Sequence, residues 1–383
     1  MASAETITAT LPGRAEQIST RIAFFIAGFG VAAWAPLVPF AKARANLDEG
    51  MLGVLLLCLG IGSILAMPAS GPLVARFGCR RLTVASSVVM CLTLPLLAVV
   101  SDLTLLGMTL LLFGAGLGTL DCVVNIQAVI VERASGRTMM SGFHGLFSVG
   151  GIAGSGGISA LLSVGASPLI ASLFVVALIA ALLVYAAPSL LPYGGVGDGP
   201  AFAIPHGVVL FIGILCFIVF LTEGAMLDWS AVFLTSVRGV DPSHAGLGYT
   251  AFATTMTIGR LTGDKIVHRL GPIRIILFGG LLAGGGLALA TLSPSWLAGL
   301  LGYALVGAGC SNIVPVLFTA VGRQKTMPEH VAVPAISTLG YAGILAGPAA
   351  IGFVAHATSL SMALLGLAAL MFAVALSGRF LRV

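Results

Sequence analysis

Apolar runs of about twenty residues recur along the chain, separated by short polar or basic turns. A hydrocarbon core about 30 Å thick takes roughly 20 apolar residues of helix to cross. Runs of that kind occupy 19–41, 49–69, 81–100, 103–132, 140–163 and 167–187. They resume after a Pro- and Gly-rich connection at 207–236, 244–264, 272–292, 295–322, 330–356 and 359–378. The pattern predicts an all-α membrane protein of twelve transmembrane helices, six on each side of the break. The expected organisation is a tail at 1–18, a first six-helix bundle at 19–187, a linker at 188–206, a second bundle at 207–378 and a short tail at 379–383.

The stretch from Phe113 to Ser155 stands apart. It reads as two spans joined by the basic turn ERASGR. At about 100° per residue, Gly114, Gly118, Asp121, Asn125, Ala128 and Glu132 fall in one stripe of the first helix, with Gln127 on the far side. In the second helix His144, Ser148, Gly151 and Ser155 share a face. Small residues let helices approach closely, and buried polar residues need partners or water. The two seams read as the lining of a pathway. Asp121 lies eleven residues before Glu132, about 16 Å along the helix and near mid-bilayer. A carboxylate there costs about 2.5–3.5 kcal/mol on insertion scales and is a functional candidate by default. Asp121 is therefore expected to bind substrate or a coupling proton, with Asn125 one turn away as a hydrogen-bond partner; a structural bond between helices is the alternative.

Composition excludes a soluble globule. The 383 residues are 58% hydrophobic and 8% charged, against about 25% charged in soluble domains. The formal charge of +5 does not point to nucleic acid, because the charges sit in connections between apolar runs. With the amino terminus placed in the cytoplasm, fifteen of the eighteen basic residues, Arg76, Arg260 and Arg269 among them, fall in inner segments. Only Lys42, Arg44 and Arg238 fall outside, a strong positive-inside bias that puts both termini in the cytoplasm of a cell with this protein in its inner membrane. The first seventeen residues lack the basic–apolar–small pattern of a signal peptide and read as a disordered tail. The six cysteines are scattered without C-x-x-C and read as small packing residues.

The halves repeat weakly. Arg76-Phe77-Gly78 matches Arg269-Leu270-Gly271 at an offset of 193 residues, as Gly114-Ala115-Gly116 matches Gly307-Ala308-Gly309. Trp34 and Trp229, and Leu52-Gly53 and Leu247-Gly248, match at an offset of 195. Near-constant offsets at matching places point to two related bundles in parallel repeat.

GRLTGDKIVHRLGPIR at 259–274, with the degenerate copy SGPLVARFGCRR at 70–81, resembles the signature loop of the major facilitator superfamily. GTLDCVVNIQAVIVE, MMSGFHGLFSVGG and TEGAMLDWSAVFL are similar to its rhizopine-transport, MosC-like branch. The first loop has Gly71 and Ala75 where an acid is expected; the second keeps Asp264. The resemblance implies two pseudo-symmetric six-helix bundles that rock about a site near the midplane, in a secondary transporter working by alternating access. It also implies a cavity lined by the first, fourth, seventh and tenth helices, with Trp34, Asp121, Asn125, Glu223, Asp228, Ser311 and Asn312 in or near it. The expected substrate contacts are Trp34, Asp121, Asn125, Glu223 and Asn312. Proton coupling is expected at Asp121, Glu223, Asp228 and His144. Arg76, Glu132, Asp264, Arg269 and Glu329 are expected to latch the inner gate through charge-assisted contacts.

Each of these has a plainer reading. Glu223 and Asp228 are about 140° apart on a helix, so they cannot meet at one spot, and Asp228, near the outer end, suits a solvated position as well as a gate. Trp34 and Trp229 suit an interface belt as well as solute stacking. His144 is as consistent with a satisfied structural histidine as with a proton relay. The fifth- and eleventh-span pairs Gly150/Gly154 and Gly343/Gly347 are close-packing motifs. No H-E-x-x-H, G-x-S-x-G or P-loop occurs, which argues against a membrane enzyme or an ATP-driven pump. A receptor or scaffold leaves the polar seams unexplained. The reading is a monomeric, proton-coupled secondary transporter with lipid, a proton and a small solute as its partners, no cofactor, no metal and no nucleic acid. It leans to uptake of a sugar-, polyol- or inositol-like compound, with proton-driven export of drugs or metabolites as the alternative.

Overall fold

A computed structural model describes residues 12–47, 49–194, 204–240 and 246–381. The first eleven residues of the expected tail, linker residues 195–203, His244 and Arg382 lie outside the described residues. The chain is helical almost throughout. Helix α1 spans Arg14–Ala32, α2 Val38–Arg44, α3 Glu49–Val99, α4 Leu103–Ser135, α5 Met140–Ser163 and α6 Pro168–Ala186. After the linker come α7 Gly207–Ser236, α8 Leu247–Leu270, α9 Pro272–Leu292, α10 Trp296–Cys310, α11 Ile313–Arg323, α12 Glu329–Ala357 and α13 Leu360–Ser377. The first helix starts at Arg14, five residues before the expected edge.

Among the described residues ten segments are long and apolar enough to cross a bilayer, one of them running from Val54 to Val99. That one contains two spans. Helix α3 turns at Gly78, whose φ of 78° and ψ of 165° belong to a region that only glycine occupies readily. The eighth span, α8, is missing from the ten because its second half carries Arg260, Asp264, Lys265 and Arg269. Split α3 and add α8, and twelve spans result. Two of them are interrupted: the first between α1 and α2, where Pro36 falls with Pro39 in the first turn of α2, and the tenth between α10 and α11. Pro315 explains the second break, since it offers no N–H to the carbonyl four residues earlier.

The repeat is now geometric. Gly271 ends α8 with φ 79° and ψ 161°, the conformation of Gly78, 193 residues earlier. At the opposite face a second pair appears. Arg44 donates to the carbonyls of Leu97, Ala98 and Val100 (2.7–3.0 Å), closing the end of α3. Arg238, 194 residues later, donates to Ala290 (3.3 Å) and Thr291 (2.6 Å) at the end of α9. The last carbonyls of a helix lack intrahelical partners and sit at its negative end, so a guanidinium satisfies them twice over.

Within each bundle, helices touch backbone to backbone through glycine. A Cβ on Gly150 or Gly154 of α5 would overlap the carbonyl oxygens of Phe25 or Phe29 on α1. The equivalent pair is α12 on α7, where a Cβ on Gly343 would overlap the carbonyl of Phe217. Gly114 and Gly118 of α4 lie in the same way against Leu59 and Ser63 of α3. This corrects one expectation: the glycine part of the α4 seam packs helices together and lines no pathway. Gln127, on the far side as expected, is buried, donating to Thr20 Oγ1 (2.9 Å) and accepting from Leu191 N (3.2 Å). The linker's first residues are strapped down beside it. Cys79 N donates to Tyr193 O (3.2 Å), Arg80 N to Leu191 O (2.7 Å), and the Arg80 side chain to the carbonyls of Leu190 (2.9 Å) and Pro188.

Gly114→Leu should therefore lower the midpoint of thermal unfolding in detergent by several degrees, since overpacking costs about 1–3 kcal/mol. Gly285→Leu, where an added Cβ meets nothing within 4 Å, should stay near wild type.

Candidate functional site

Between the bundles, in the half remote from the termini, lies a cavity of about 650 Å³. One wall is α1 at Gly28–Ala35 and α5 at Phe147–Gly156; the other is α7 at Glu223–Leu227 and α8 at Tyr249–Arg260, with Ile344 of α12 between. Ala35, Ile152, Gly156 and Leu227 on it are exposed. Most of the lining is small or apolar. The polar exceptions are Ser148, Ser155, Glu223, Tyr249, Thr257 and Arg260.

The charged pair dominates. Arg260 Nη2 lies 3.3 Å from Glu223 Oε1 and 3.5 Å from Oε2, with only 9% and 16% of the two side chains exposed. Arg260 Nη1 also donates to Ser148 Oγ (3.2 Å) on α5, in the other bundle. One guanidinium thus joins α8 to its own neighbour α7 and to the opposite half. Charges in a medium of low polarity are held only where partners satisfy them, and removing one partner strands the other.

Arg260 corrects the sequence reading, which counted it among inner-face charges. It sits ten residues before Leu270, about 15 Å up the helix. The depth argument applied to Asp121 would have found it. Helix α5 answers the expectation well: Ser148, Gly151 and Ser155 all line the cavity. The expected first-fourth-seventh-tenth lining does not hold here. The first and seventh spans contribute, joined by the fifth, eighth and eleventh rather than the fourth and tenth.

Of the five expected substrate contacts, Glu223 alone lines this cavity. Asp121 and Asn125 stand behind it. Asn125 Nδ2 donates to the Asp121 carbonyl (2.9 Å) and lies 3.4 Å from its Oδ1. With that amide used, Asn125 Oδ1 faces His144 Nε2 at 3.2 Å and accepts from it. The imidazole is held between the rings of Phe24 (5.2 Å) and Phe318 (5.6 Å). Ser148 Oγ donates to the His144 carbonyl (3.3 Å) within α5, so Arg260 and the imidazole are linked only through the backbone of that helix. Asn312 is buried at the break of the tenth span, donating to Gly259 O and Ser311 Oγ (both 3.0 Å). Trp34 is buried with its indole N–H unpartnered. Asp228 is exposed, one turn beyond Glu223 and on another face, as the helical spacing requires.

The face that carries the termini is closed by contacts between bundles, centred on the start of α5. Glu132 Oε2 accepts from Met139 N and Met140 N (2.7 Å each), and its Oε1 accepts from Thr319 Oγ1 of α11 (2.5 Å). Asp264 of α8 reaches the same helix end. Its Oδ1 accepts from Gly142 N (3.1 Å) and its carbonyl from Thr138 Oγ1 (2.9 Å). Two carboxylates at the positive end of one helix, one from each bundle, form the joint. Arg133 pairs with Glu329 across the same seam. Arg76 and Arg269, expected in this network, are exposed; Arg76 lies over the ring of Phe77, and Arg269 makes no ion pair among the described residues. Their place is taken by Arg133, Thr138 and Thr319.

A family model described as Major Facilitator Superfamily matches residues 21–321. The chain belongs to the major facilitator superfamily. An uncharacterized MFS-type transporter of Yersinia pestis is 56% identical over 372 residues, 97% of each chain. Membrane protein MosC of Rhizobium meliloti is 33% identical over 362 residues, 93% of this chain and 88% of that one. Among solved structures, the E. coli fucose:proton symporter FucP superimposes with TM-score 0.76 at 17% identity, covering 96% of this chain and 98% of that one. FucP in the outward conformation gives TM-score 0.75 at 18% identity, covering 97% and 100%. As a member of this superfamily the chain is a multi-pass membrane transporter of small molecules, not an enzyme.

The Glu223–Arg260 pair yields a double-mutant cycle. Glu223→Gln and Arg260→Gln should each destabilise the protein in thermal unfolding. The double variant should lose less than the sum by about 0.5–3 kcal/mol, because neither charge is left stranded. Strict additivity would mean that the pair is not coupled.

Proposed function

We propose that the protein is a proton-coupled carrier of the cell inner membrane. It takes up a small hydroxyl-rich solute, of sugar, polyol or inositol type, through the cavity between α1, α5, α7 and α8. The observation that carries this reading is the Glu223–Arg260 pair in the cavity wall. A proton arriving at Glu223 converts a charged acceptor into a neutral acid and weakens its hold on Arg260. Arg260 also holds Ser148 of the other bundle, so one protonation changes both the solute-binding wall and a bond across the rocking interface. Ser148, Ser155, Tyr249 and Thr257 offer further hydrogen bonds to hydroxyl groups, and Phe147 and Phe252 offer flat apolar faces. The likeness to a fucose:proton symporter supports the proton and the sugar class as fold-level analogy alone.

The remaining expected residues take supporting parts in this reading. Asp121, Asn125 and His144 position Ser148 from behind and form a second polar centre that a proton could occupy. Trp34 and Asn312 hold the first and tenth spans at their breaks. Asp228 sits beyond the cavity's charged pair. Glu132, Asp264 and Glu329 act as the gate of the closed face. That face is the cytoplasmic one, since the basic residues of the connections concentrate there even with Arg260 moved into the membrane. Both termini are then cytoplasmic.

Export of amphipathic compounds is the second reading. It is favoured by the apolar share of the lining, Val31, Ile152, Leu227, Met256 and Ile344.

Proteoliposome assays with a panel of sugars, polyols and lipophilic cations decide between the two. A proton gradient, acidic outside, should drive accumulation of one polyhydroxy solute. Glu223→Gln should abolish that accumulation and retain exchange of labelled for unlabelled solute. Accumulation by the variant equal to wild type would remove Glu223 from coupling.

The gate gives a separate expectation. Asp264→Asn removes the charge at the start of α5 and should favour opening toward the termini. A cysteine placed at Ser155 in that background should react several-fold more slowly with an impermeant thiol reagent added from outside. An unchanged rate would exclude Asp264 from the gate.

A further inference from the structure

The closed face contains a second, smaller cavity of about 130 Å³. Glu132, Arg133 and Arg137 border it from the end of α4 and the turn that follows; Thr319 and Arg323 border it from α11. Its room equals the liquid volume of roughly four waters, too little for a nucleotide or for a solute of the size the larger cavity admits. Three guanidiniums edge this space, two from one bundle and one from the other. Arg133 has a carboxylate partner in Glu329. Arg137 and Arg323 make no ion pair among the described residues. Glu132 borders the same space, its Oε2 accepting from Met139 N and Met140 N and its Oε1 from Thr319 Oγ1, so its charge and that of Glu329 offset two of the three guanidiniums and leave one positive charge in excess.

Closing this face therefore brings Arg137 and Arg323, both solvent-exposed, to one small polar space from two different bundles. A tetrahedral oxyanion is the matching ligand: several oxygens, each able to accept from a guanidinium fork, in a volume of this size. We propose that this cavity binds a small soluble oxyanion of the phosphate or sulfate class, which ties Arg137 of the first bundle to Arg323 of the second. The ligand's two halves of the site part when the face opens, so it binds the closed form and shifts the population toward it. The site lies on the central seam between α4 and α11, away from the lipid-facing flanks, which sets a soluble anion apart from a phospholipid headgroup. The proposal rests on the two bundles rocking apart, and on neither the transported solute nor the proton.

The test uses the purified full-length protein in detergent, at fixed pH, with no solute and no gradient. Its outcome is thus separate from that of the Glu223→Gln assay. Thermal unfolding is titrated with sodium sulfate and with sodium phosphate, against sodium chloride at matched ionic strength. The expected result is a saturable rise in midpoint with either oxyanion beyond that in chloride. Arg137→Gln/Arg323→Gln should weaken the apparent affinity at least tenfold, and Lys325→Gln, on the same face outside the cavity lining, should leave it unchanged. An equal rise in chloride, or an undiminished oxyanion effect in the double variant, would overturn the site. Stabilisation by phosphatidylglycerol-containing micelles without any by sulfate would overturn the soluble ligand in favour of a lipid headgroup.

Discussion

A guanidinium inside the membrane must be met by other protein groups, and the way Arg260 is met at its two terminal nitrogens, with Nε left without a hydrogen-bond partner, organises the rest of the molecule. Its three contacts are a carboxylate from its own bundle, two oxygens of it within reach, and a serine from the other. Stripping the pair to a single charge would strand it in a wall of glycine, alanine and hydrocarbon. The cavity can therefore hold its charge only while α7, α8 and α5 keep their relative places. A change in the charge of Glu223 is felt first at the seam between halves. The same coupling could not arise from a carboxylate that faced the cavity alone.

Two kinds of contact divide the labour. Inside each bundle, glycines bring backbones together so closely that no side chain could be inserted, on α1 with α5, α3 with α4, and α7 with α12. Such joints depend on shape across many atoms and have no low-cost alternative arrangement. Between bundles at the closed face, most joints are polar side chains, Glu132 to Thr319, Asp264 to Gly142 and Arg133 to Glu329, and one is a backbone contact, Gly71 of α3 on His330 of α12. Each of the polar joints can be exchanged for water at modest net cost. Halves packed on backbone, with a seam made mostly of exchangeable polar contacts, are what rocking requires.

The fold was legible because its signals are independent of orientation. Length and apolarity set the spans, and the repeated Arg-x-Gly turns at Gly78 and Gly271 proved to share one glycine-only backbone geometry. The site was harder because the same residue types serve packing and pathway. Gly114 and Gly118 share a stripe with Asp121, yet the glycines meet α3 and the aspartate sits behind the cavity; helical phase assigns a face without saying what that face meets. On α5 the phase argument succeeded, since Ser148, Gly151 and Ser155 meet the opposite bundle. Arg260 was hidden by a boundary. The apolar run was drawn to 264, and a basic residue near its end was read as loop charge, although the helix continues six residues further to Leu270. Charge concentrated in the inner half of α8 hid the depth of Arg260 within a span already drawn.

The unequal signature loops now have a physical account. Asp264 corresponds, at the repeat's offset of 193, to Gly71. Asp264 meets the start of α5 through a carboxylate accepting from Gly142 N. Gly71 meets the start of α12, where an added Cβ would overlap the His330 carbonyl and approach Pro334. An acid cannot occupy that position, because the helices touch there without any side chain between them. The charge absent from the first loop is supplied one residue away from the contact, by Glu329 on the first turn of α12, facing Arg133. The closed face is thus pseudo-symmetric in position and asymmetric in chemistry. One half is held by an acid on a helix end, which protonation can loosen; the other is held by backbone contact and an ion pair at its rim.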